Sequence, residues 1–241
     1  FNTVTAPPGP NHIFVAHHSI GCPPHPVNFT ANTGQGIVTW IWDFGDGNDT
    51  TTATNVVNHT YAGAGTYTVQ LIVVDTLGCE DTIVRPNYIE INPPVADFNA
   101  NALQGCPAFT TTFTDVSTSV NGIVAWNWDF GDGNTGAGNP VTHTYTLPGT
   151  YTVTLIVTDA EGCMDTLVRP NYITVFDPPT ANFGITDTLA CEPFTIQLTD
   201  SSTGVVAITG WDWDFGDGNT SNLQNPINGY VTPGIYPITL I

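Results

Sequence analysis

Apolar and polar residues alternate along short stretches of this chain, and glycine and proline separate the stretches. In residues 40–44, Trp40, Trp42 and Phe44 fall on one side of a strand, with Ile41 and Asp43 on the other. Residues 67–73 alternate in the same way, with Tyr, Val, Leu and Val on one side. A helical period of 3.6 residues is not evident over any comparable length. The pattern predicts an all-β protein whose core takes the aromatic side of the first strand.

An Asp-Gly pair, Asp46-Gly47, follows the aromatic strand directly. Asp-Gly between two strands is typical of a two-residue type I′ hairpin turn, which needs positive φ at both residues. We therefore predict a tight hairpin here, and equally at its copies Asp132-Gly133 and Asp217-Gly218.

The aromatic segment is repeated. Residues 40–48 recur as 126–134 and 211–219, so the period is about 85 residues, long enough for one small sandwich domain. We predict the last strand of a preceding repeat at 1–6, followed by repeats at 7–92, 93–177 and 178–241, the third one incomplete. Each repeat has about seven short strands, which predicts a two-sheet antiparallel β-sandwich. With Pro-Pro pairs at the joints, we expect an elongated rod cut from a longer array.

Composition narrows the function. The chain has 241 residues, 2 of them Lys or Arg and 21 Asp or Glu, for a formal charge of −19. Nucleic-acid binding and docking to anionic lipid both need a basic surface, so both are excluded. Membrane insertion is not expected either, because no apolar run reaches about 18 residues. Apolar residues nevertheless make up 41% of the chain and aromatic residues 11%, which excludes a disordered acidic tail.

The cysteines follow the repeat. Cys22 and Cys79 are 57 residues apart, and Cys106 and Cys163 have the same separation. We predict the disulfides Cys22–Cys79 and Cys106–Cys163, with the partner of Cys191 outside this sequence. Disulfides place a protein outside the cytosol.

The repeated motifs resemble a known family. Trp-Asp-Phe-Gly-Asp-Gly, then His-Thr-Tyr, then Gly-Thr-Tyr-x-Val-x-Leu-x-Val-x-Asp is similar to the PKD domain, first described in polycystin. The resemblance implies an immunoglobulin-like sandwich that is not an enzyme, used as a spacer or adhesion unit or as an accessory domain of secreted hydrolases. The cysteine-bearing, lysine-free style is similar to PKD arrays in surface proteins of gliding Bacteroidota, which implies gliding motility and type IX secretion.

Acidic residues around the Asp-Gly pairs have two interpretations. As turn formers, their carboxylates cap nearby backbone N–H groups, and this is the interpretation we favour. As hard oxygen ligands they suit Ca²⁺, which the resemblance also implies for some PKD modules, and calcium would be the only cofactor. The residues concerned are Asp43, Asp46, Asn48, Asp129, Asp132, Asn134, Asp214, Asp217 and Asn219.

Few other residues could carry chemistry. Arg85 and Arg169 occupy one repeat position, and we predict structural ion pairs with Asp75 and Asp159 or with Asp81 and Asp165. We expect His59 and His143 to hydrogen-bond within the fold, because Asn228 replaces them in the third repeat. Asp-Thr pairs resemble an O-glycosylation signal of Bacteroidota at Thr50, Thr76, Thr82, Thr166 and Thr188. A transition metal is a further hypothesis for His12, His17, His18 and His25.

The sequence thus predicts a non-catalytic stalk or adhesion segment of a large extracellular, cell-surface protein. Asp43-Phe44-Gly45 imitates a kinase motif, but a kinase needs a lysine that this chain lacks. Its partners would be neighbouring repeats and an unidentified surface glycan or protein. Two alternatives stay open: an accessory substrate-binding module of a secreted hydrolase, and a subunit of a self-assembling extracellular filament.

Overall fold

The computed structural model describes residues 12–186, 188–189 and 193–241. The predicted strand at 1–6 and Cys191 lie outside these residues. The regular secondary structure of the described part is all strand, and within it no helix is long and apolar enough to cross a bilayer. The all-β prediction is therefore confirmed.

The first repeat has eight strands in two sheets. Strands β1, β3 and β6 form one sheet, and the order β2-β8-β7-β4-β5 forms the other. All pairs are antiparallel except β2 with β8. The strands are β1 (His12–His17), β2 (Ile20–Gly21), β3 (His25–Thr33), β4 (Ile37–Asp43), β5 (Asp49–Thr52), β6 (Val56–Tyr61), β7 (Gly65–Asp75) and β8 (Glu80–Ile91).

The second repeat has the same order of sheets. One sheet is β14-β11-β9 and the other is β10-β16-β15-β12-β13. The strands are β9 (Phe98–Ala100), β10 (Gln104–Gly105), β11 (Phe109–Asp115), β12 (Ile123–Asp129), β13 (Thr135–Ala137), β14 (Val141–Tyr145), β15 (Gly149–Asp159) and β16 (Met164–Val175).

The third repeat has shorter strands, in sheets β17-β18-β21 and β20-β19-β22. They are β17 (Phe183–Ile185), β18 (Phe194–Asp200), β19 (Trp213–Asp214), β20 (Thr220–Ser221), β21 (Ile227–Tyr230) and β22 (Thr239–Leu240). Pro237 stands where β7 continues with Thr68, and it has no N–H for a ladder. Strand β22 accordingly begins only at Thr239.

The described chain divides into two compact units. One contains residues up to Asn99 together with 113–141 and 153–169, and the other contains 100–112, 142–152 and 170–241. The first repeat and its core lie in the first unit, and the third repeat lies in the second.

The core of the first repeat is aromatic. Trp42 is fully buried, with its ring centroid 5.2 Å from that of Phe14 and 5.6 Å from that of Phe29. Phe14 and Phe29 come from the opposite sheet, and Leu71 and Ile89, on the same sheet as Trp42, are buried in the same cluster. Trp128 and Trp213 are the buried counterparts of Trp42. The alternation in the sequence therefore identified the core side correctly, and truncating such a ring to alanine costs about 3–5 kcal/mol.

The turn after β4 differs from the predicted two-residue hairpin. Five residues, 44–48, separate β4 from β5, and the Phe44 N–H donates to the Asn48 carbonyl at 3.2 Å. Positive φ occurs at Gly45 and Gly47, 79° and 88°, and not at Asp46. Gly45 is also required for steric reasons, because a Cβ there would collide with the Thr68 carbonyl. The type I′ prediction was wrong because it overlooked the first glycine.

One disulfide joins the first repeat to the second, between Cys22 and Cys163. Both predicted pairings within a repeat are wrong, since Cys79 and Cys106 carry free, exposed thiols. The reason is the length of β8. Cys22 follows Gly21, which pairs with Ile91 at one end of that strand, and Cys79 precedes Glu80 at the other end. The 12 residues of this extended strand place its ends about 35 Å apart, far beyond the roughly 7 Å that a disulfide spans.

This pairing predicts which cysteines stabilise the fold. The bond closes a loop across 141 residues, worth about 5 kcal/mol in the chain-entropy model. Replacing Cys22 and Cys163 together by serine should lower the thermal unfolding midpoint of the first two repeats. The matched double variant of Cys79 and Cys106 should leave the midpoint within about 1 °C, because both side chains are exposed.

Peptide mapping without reduction checks the connectivity directly. We expect a cross-linked peptide that contains Cys22 and Cys163. A peptide that links Cys22 to Cys79 would contradict the structure.

Candidate functional site

The loop after β4 gathers the acidic residues that the sequence singled out. Asp43 Oδ1 accepts a hydrogen bond from the Gly45 N–H at 2.9 Å, and Asp46 Oδ1 accepts one from the Asn48 N–H at 3.1 Å. Each carboxylate thus holds the backbone two residues further along, in an Asx-turn. These are the bonds that the turn interpretation predicts.

His59, on the neighbouring strand β6, completes the loop. Its imidazole stacks on the Phe44 ring with centroids 4.0 Å apart, and its Nε2 lies 2.8 Å from Asp46 Oδ2. Burial alone would raise the pKa of Asp46, but hydrogen bonds from His59 and Asn48 and the charge of His59 outweigh it, so the pKa is lowered. His59 therefore ties the loop to the opposite sheet, and the prediction that this histidine forms a hydrogen bond within the fold is confirmed.

Tyr61, at the end of β6, also holds this loop in place. Its hydroxyl donates to the Phe44 carbonyl at 3.0 Å, and its ring packs against Tyr67 at 4.5 Å. Tyr67 in turn donates to the Gly63 carbonyl at 2.9 Å. Burial and the nearby carboxylates of Asp46 and Asp43 raise the pKa of Tyr61. The phenol therefore stays protonated and serves as a structural donor.

The third repeat builds the same loop with one substitution. Asp214 caps Gly216 at 2.8 Å and Asp217 caps Asn219 at 3.0 Å. Asn228 takes the place of His59 and donates through Nδ2 to Asp217 Oδ2 at 3.0 Å. An amide thus supplies the same hydrogen bond as the imidazole. The role of this position is to hold the loop, which needs no titrating group.

In the second repeat the capping bonds also recur. Asp129 accepts from the Gly131 N–H at 2.9 Å, and Asp132 accepts from the Asn134 N–H at 3.1 Å. His143 packs edge-on against Tyr145, with ring centroids 4.7 Å apart.

Calcium does not fit these loops. Ca²⁺ takes six to eight oxygen ligands, whereas each loop brings together two carboxylates, each with one oxygen that already accepts a backbone N–H bond. Across residues 12–186, 188–189 and 193–241, no group of three His, Cys, Asp or Glu side chains could hold a metal ion. The histidines of the first repeat are used within the fold, since His12 Nδ1 lies 3.2 Å from Asp81 Oδ2 and His25 Nε2 lies 2.8 Å from the His18 carbonyl oxygen.

The two arginines lie over aromatic rings. Arg169 stacks 4.9 Å above Phe98 and pairs with Asp97 at 2.6 Å. Arg85 stacks 5.0 Å above Phe14 and 4.8 Å above Tyr88. An ion pair for Arg169 was predicted, but its partner is Asp97, which corresponds to Ile13 in the first repeat. Comparing the sequences of the two repeats at this position would have shown the difference.

The aspartates predicted to pair with the arginines are used elsewhere. Asp75 Oδ1 accepts from the Leu77 and Cys79 N–H groups, and Asp159 Oδ1 accepts from Glu161 and Cys163 in the same way. Asp165 accepts from the Ala96 N–H at 2.8 Å. These carboxylates therefore shape backbone turns, which corrects the predicted partners.

Comparison with known proteins agrees with this geometry. The sequence profile of the PKD domain matches residues 9–91, 91–175 and 177–241. The chain belongs to the PKD domain family. The resemblance found in the sequence is thus confirmed, and the family together with the disulfide places the chain among extracellular modules.

The chain spans only a small part of the curated relatives that it matches. Human polycystin-1 is 29% identical over 95% of this chain, which spans 5% of that protein. The pre-pro-metalloprotease PrtV of Vibrio cholerae is 30% identical over 58% of this chain, which covers 15% of PrtV. The crystal structure of the PKD1 domain of PrtV is 34% identical, covers 34% of this chain and 96% of its own, and has a TM-score of 0.31.

The His59–Asp46 pair predicts a pH dependence. Since the pKa of Asp46 is lowered in the fold, its carboxylate stabilises the protein above about pH 4, and this is lost as the pH falls through the folded-state pKa. Asp46→Asn should lower the free energy of unfolding of the first repeat by about 1 kcal/mol at pH 7. Urea denaturation from pH 7 to pH 3 should show this difference shrinking.

His59 supplies the matched control. His59→Asn reproduces the third repeat and should cost less stability than His59→Ala, which removes both the hydrogen bond and the stacked ring. Equal losses for the two variants would refute the role assigned to this position.

A calcium titration separates the two interpretations of the loops. Because the carboxylates already cap backbone N–H groups, calcium at about 5 mM, enough for weak extracellular sites, should give the same melting temperature as EDTA. A rise that Asp43→Asn abolishes would restore the calcium hypothesis.

Proposed function

We propose that this chain is a non-catalytic spacer and adhesion segment of a large cell-surface protein. The observation that carries the proposal is that the side chains able to do chemistry have structural roles. Aspartates cap turns, His59 and Asn228 hold loops, arginines cover aromatic rings, and tryptophans fill the cores. These structural roles recur in successive repeats. Such repetition suits a scaffold better than an active centre, which a protein forms once.

The structure of the joints between repeats supports the spacer proposal. Pro93-Pro94 precedes a bridge in which Val95 and Thr118 exchange hydrogen bonds of 2.8 and 3.0 Å. Pro178-Pro179 precedes the equivalent bridge between Thr180 and Thr203. Proline restricts the linker and the bridge fixes the chain just after it. The Cys22–Cys163 bond adds a covalent connection from the first repeat to the second.

The surface suits an extracellular environment. With a formal charge of −19, the chain repels copies of itself and stays dispersed. Four of the five threonines proposed for O-glycosylation are exposed, namely Thr76, Thr82, Thr166 and Thr188, whereas Thr50 is half-buried in β5. We propose neighbouring repeats and a surface glycan or protein as partners, and gliding motility with type IX export as the setting. Intact-mass measurement of the native protein tests the glycosylation.

An accessory role in a secreted hydrolase is the second candidate. Its support is the similarity to PrtV and to a microbial collagenase of Vibrio alginolyticus, 43% identical over 70 residues, 29% of this chain and 9% of the collagenase. Substrate-binding modules commonly present aromatic rings to solvent. Here Trp40, Trp42, Trp128 and Trp213 are buried, so these rings are occupied inside the sandwiches. A filament subunit is the third candidate, which light scattering of the purified chain tests.

Binding to insoluble substrates distinguishes the first two candidates. As a spacer, the chain should be depleted from solution by insoluble collagen or cellulose no more than serum albumin is. An accessory module should instead show saturable depletion. Saturable binding that persists at about 0.5 M salt, which screens all but short-range electrostatic contacts, would overturn the spacer proposal.

A further inference from the structure

The two arginines of this chain have similar aromatic support but different carboxylate environments. Arg169 pairs with Asp97 at 2.6 Å. The corresponding residue of the first repeat is Ile13, which is 51% exposed and carries no charge. Among the residues that the structure describes, no carboxylate forms an ion pair with Arg85. Since the chain has no lysine, Arg85 is the one basic side chain with a permanent charge that no described carboxylate neutralises.

Two aromatic rings hold the Arg85 guanidinium in place without a carboxylate. Its central carbon lies 5.0 Å from the ring centroid of Phe14 and 4.8 Å from that of Tyr88. Phe14 is fully buried, and the Tyr88 hydroxyl accepts a hydrogen bond from the Ala16 N–H at 2.9 Å, so both rings are anchored. Stacking uses the face of a guanidinium and leaves the N–H donors in its plane available. The group is therefore pre-organised for a planar acceptor.

The backbone just after Arg85 has an irregularity that recurs after Arg169. The pairing of β7 with β8 shifts register there, and Asn87 has a positive φ of 52°. Asn171, in the same place in the second repeat, has a φ of 51°. The N–H groups of both asparagines donate to a threonine hydroxyl of the neighbouring strand at 3.3 Å. Because bulges direct the side chains beside them, the shared bulge indicates that the two arginines are positioned alike.

The second repeat shows which ligand this geometry takes. Arg169 donates through Nη2 to Asp97 Oδ1 while its guanidinium stacks 4.9 Å above Phe98. Phe98 corresponds to Phe14, so a carboxylate oxygen in the equivalent place would meet the Arg85 guanidinium. Charge-assisted hydrogen bonds between guanidinium and carboxylate are among the strong ones. No described residue supplies this carboxylate in the first repeat, so one from another molecule can take its place.

The surroundings of Arg85 favour a polypeptide as the source of that carboxylate. Strand β1 is at the edge of its sheet, where another molecule can approach. Ile13 and Val15 on this strand are exposed and suit an apolar side chain next to the carboxylate. A polyanion such as an acidic polysaccharide would instead be repelled by the formal charge of −19. A segment with one carboxylate and apolar neighbours fits both features.

We propose that Arg85 is the binding site for a single carboxylate of a partner protein, presented by an aspartate or glutamate with apolar neighbours. The guanidinium binds the carboxylate, and Ile13 and Val15 contact the neighbouring side chains. This site rests on the proposed adhesion function and specifies the chemistry of its partner. The second repeat has the same arginine, but its own Asp97 occupies it.

The test uses the intact chain labelled with ¹⁵N-arginine, in which NMR shows only two arginine side chains. The probe is the acetylated and amidated peptide Gly-Val-Asp-Val-Gly, and the control peptide has asparagine in place of aspartate. We expect the aspartate peptide to shift the Arg85 Nε–H signal saturably, with a dissociation constant on the order of 1 mM, and the asparagine peptide to bind at least about tenfold more weakly. The Arg169 signal should stay in place. The Arg85→Gln variant assigns the two signals.

Two reciprocal variants test the role of the internal carboxylate. Ile13→Asp copies the second repeat into the first and should abolish the response of Arg85, because the new carboxylate occupies the guanidinium. Asp97→Ile copies the first repeat into the second and should make the Arg169 signal respond to the peptide. If Asp97→Ile unfolds the second repeat, Asp97→Asn removes the charge and retains an oxygen for the Phe98 N–H, and it should also make Arg169 respond.

Several results would overturn the proposal. These are the absence of a saturable shift, equal shifts with the two peptides, or an unchanged response of Arg85 in Ile13→Asp. Tighter binding of trigalacturonate than of the aspartate peptide would make an acidic glycan the ligand. A shift of the Arg85 signal when the protein alone is concentrated would make a second copy of this chain the ligand. The spacer proposal would survive each of these results, because depletion by collagen or cellulose tests it separately.

Discussion

Burial of one tryptophan per repeat is the constraint on which the rest of each sandwich depends. Trp42 sits between the sheets against Phe14 and Phe29, Trp128 packs in the same way against Phe98 and Phe113, and Trp213 packs against Phe183. The strand that carries this ring must end with its next aromatic residue also facing inward. The chain then has to turn without moving Phe44, and this requirement explains the loop. Two glycines allow the turn, two aspartates cap it, and His59 and Tyr61 hold it from the neighbouring strand.

Local pattern was enough to predict the sandwiches and their cores. Alternation placed Trp42 inward and Asp43 outward, and repetition identified His59 and Asn228 as equivalent. It was not enough for interactions between distant segments. Equal spacing of the cysteines showed that Cys22 corresponds to Cys106, but equivalence does not say which residue bonds to which. That depends on β8 extending between Cys22 and Cys79, a length that only strand pairing reveals.

The arginines illustrate the same limit. Their repeated position predicted a shared role, and both do cover the same aromatic position, Phe14 or Phe98. Their carboxylate environment differs, because Asp97 in one repeat is Ile13 in the other. The acidic loops show the converse case. In these loops, backbone N–H groups donate to carboxylates that composition alone would equally well have assigned to a metal site.

These observations support a chain in which each repeat folds around its own tryptophan and a covalent bond connects the first repeat to the second. Force-extension of single molecules held at both ends tests this most directly. In the oxidised protein, the segment across 141 residues between Cys22 and Cys163 cannot extend. Reduction should therefore add about 500 Å to the total contour length released by unfolding, at roughly 3.6 Å per residue. A total gain of about 400 Å, as the two bonds within repeats would give, or no change on reduction, would contradict the account.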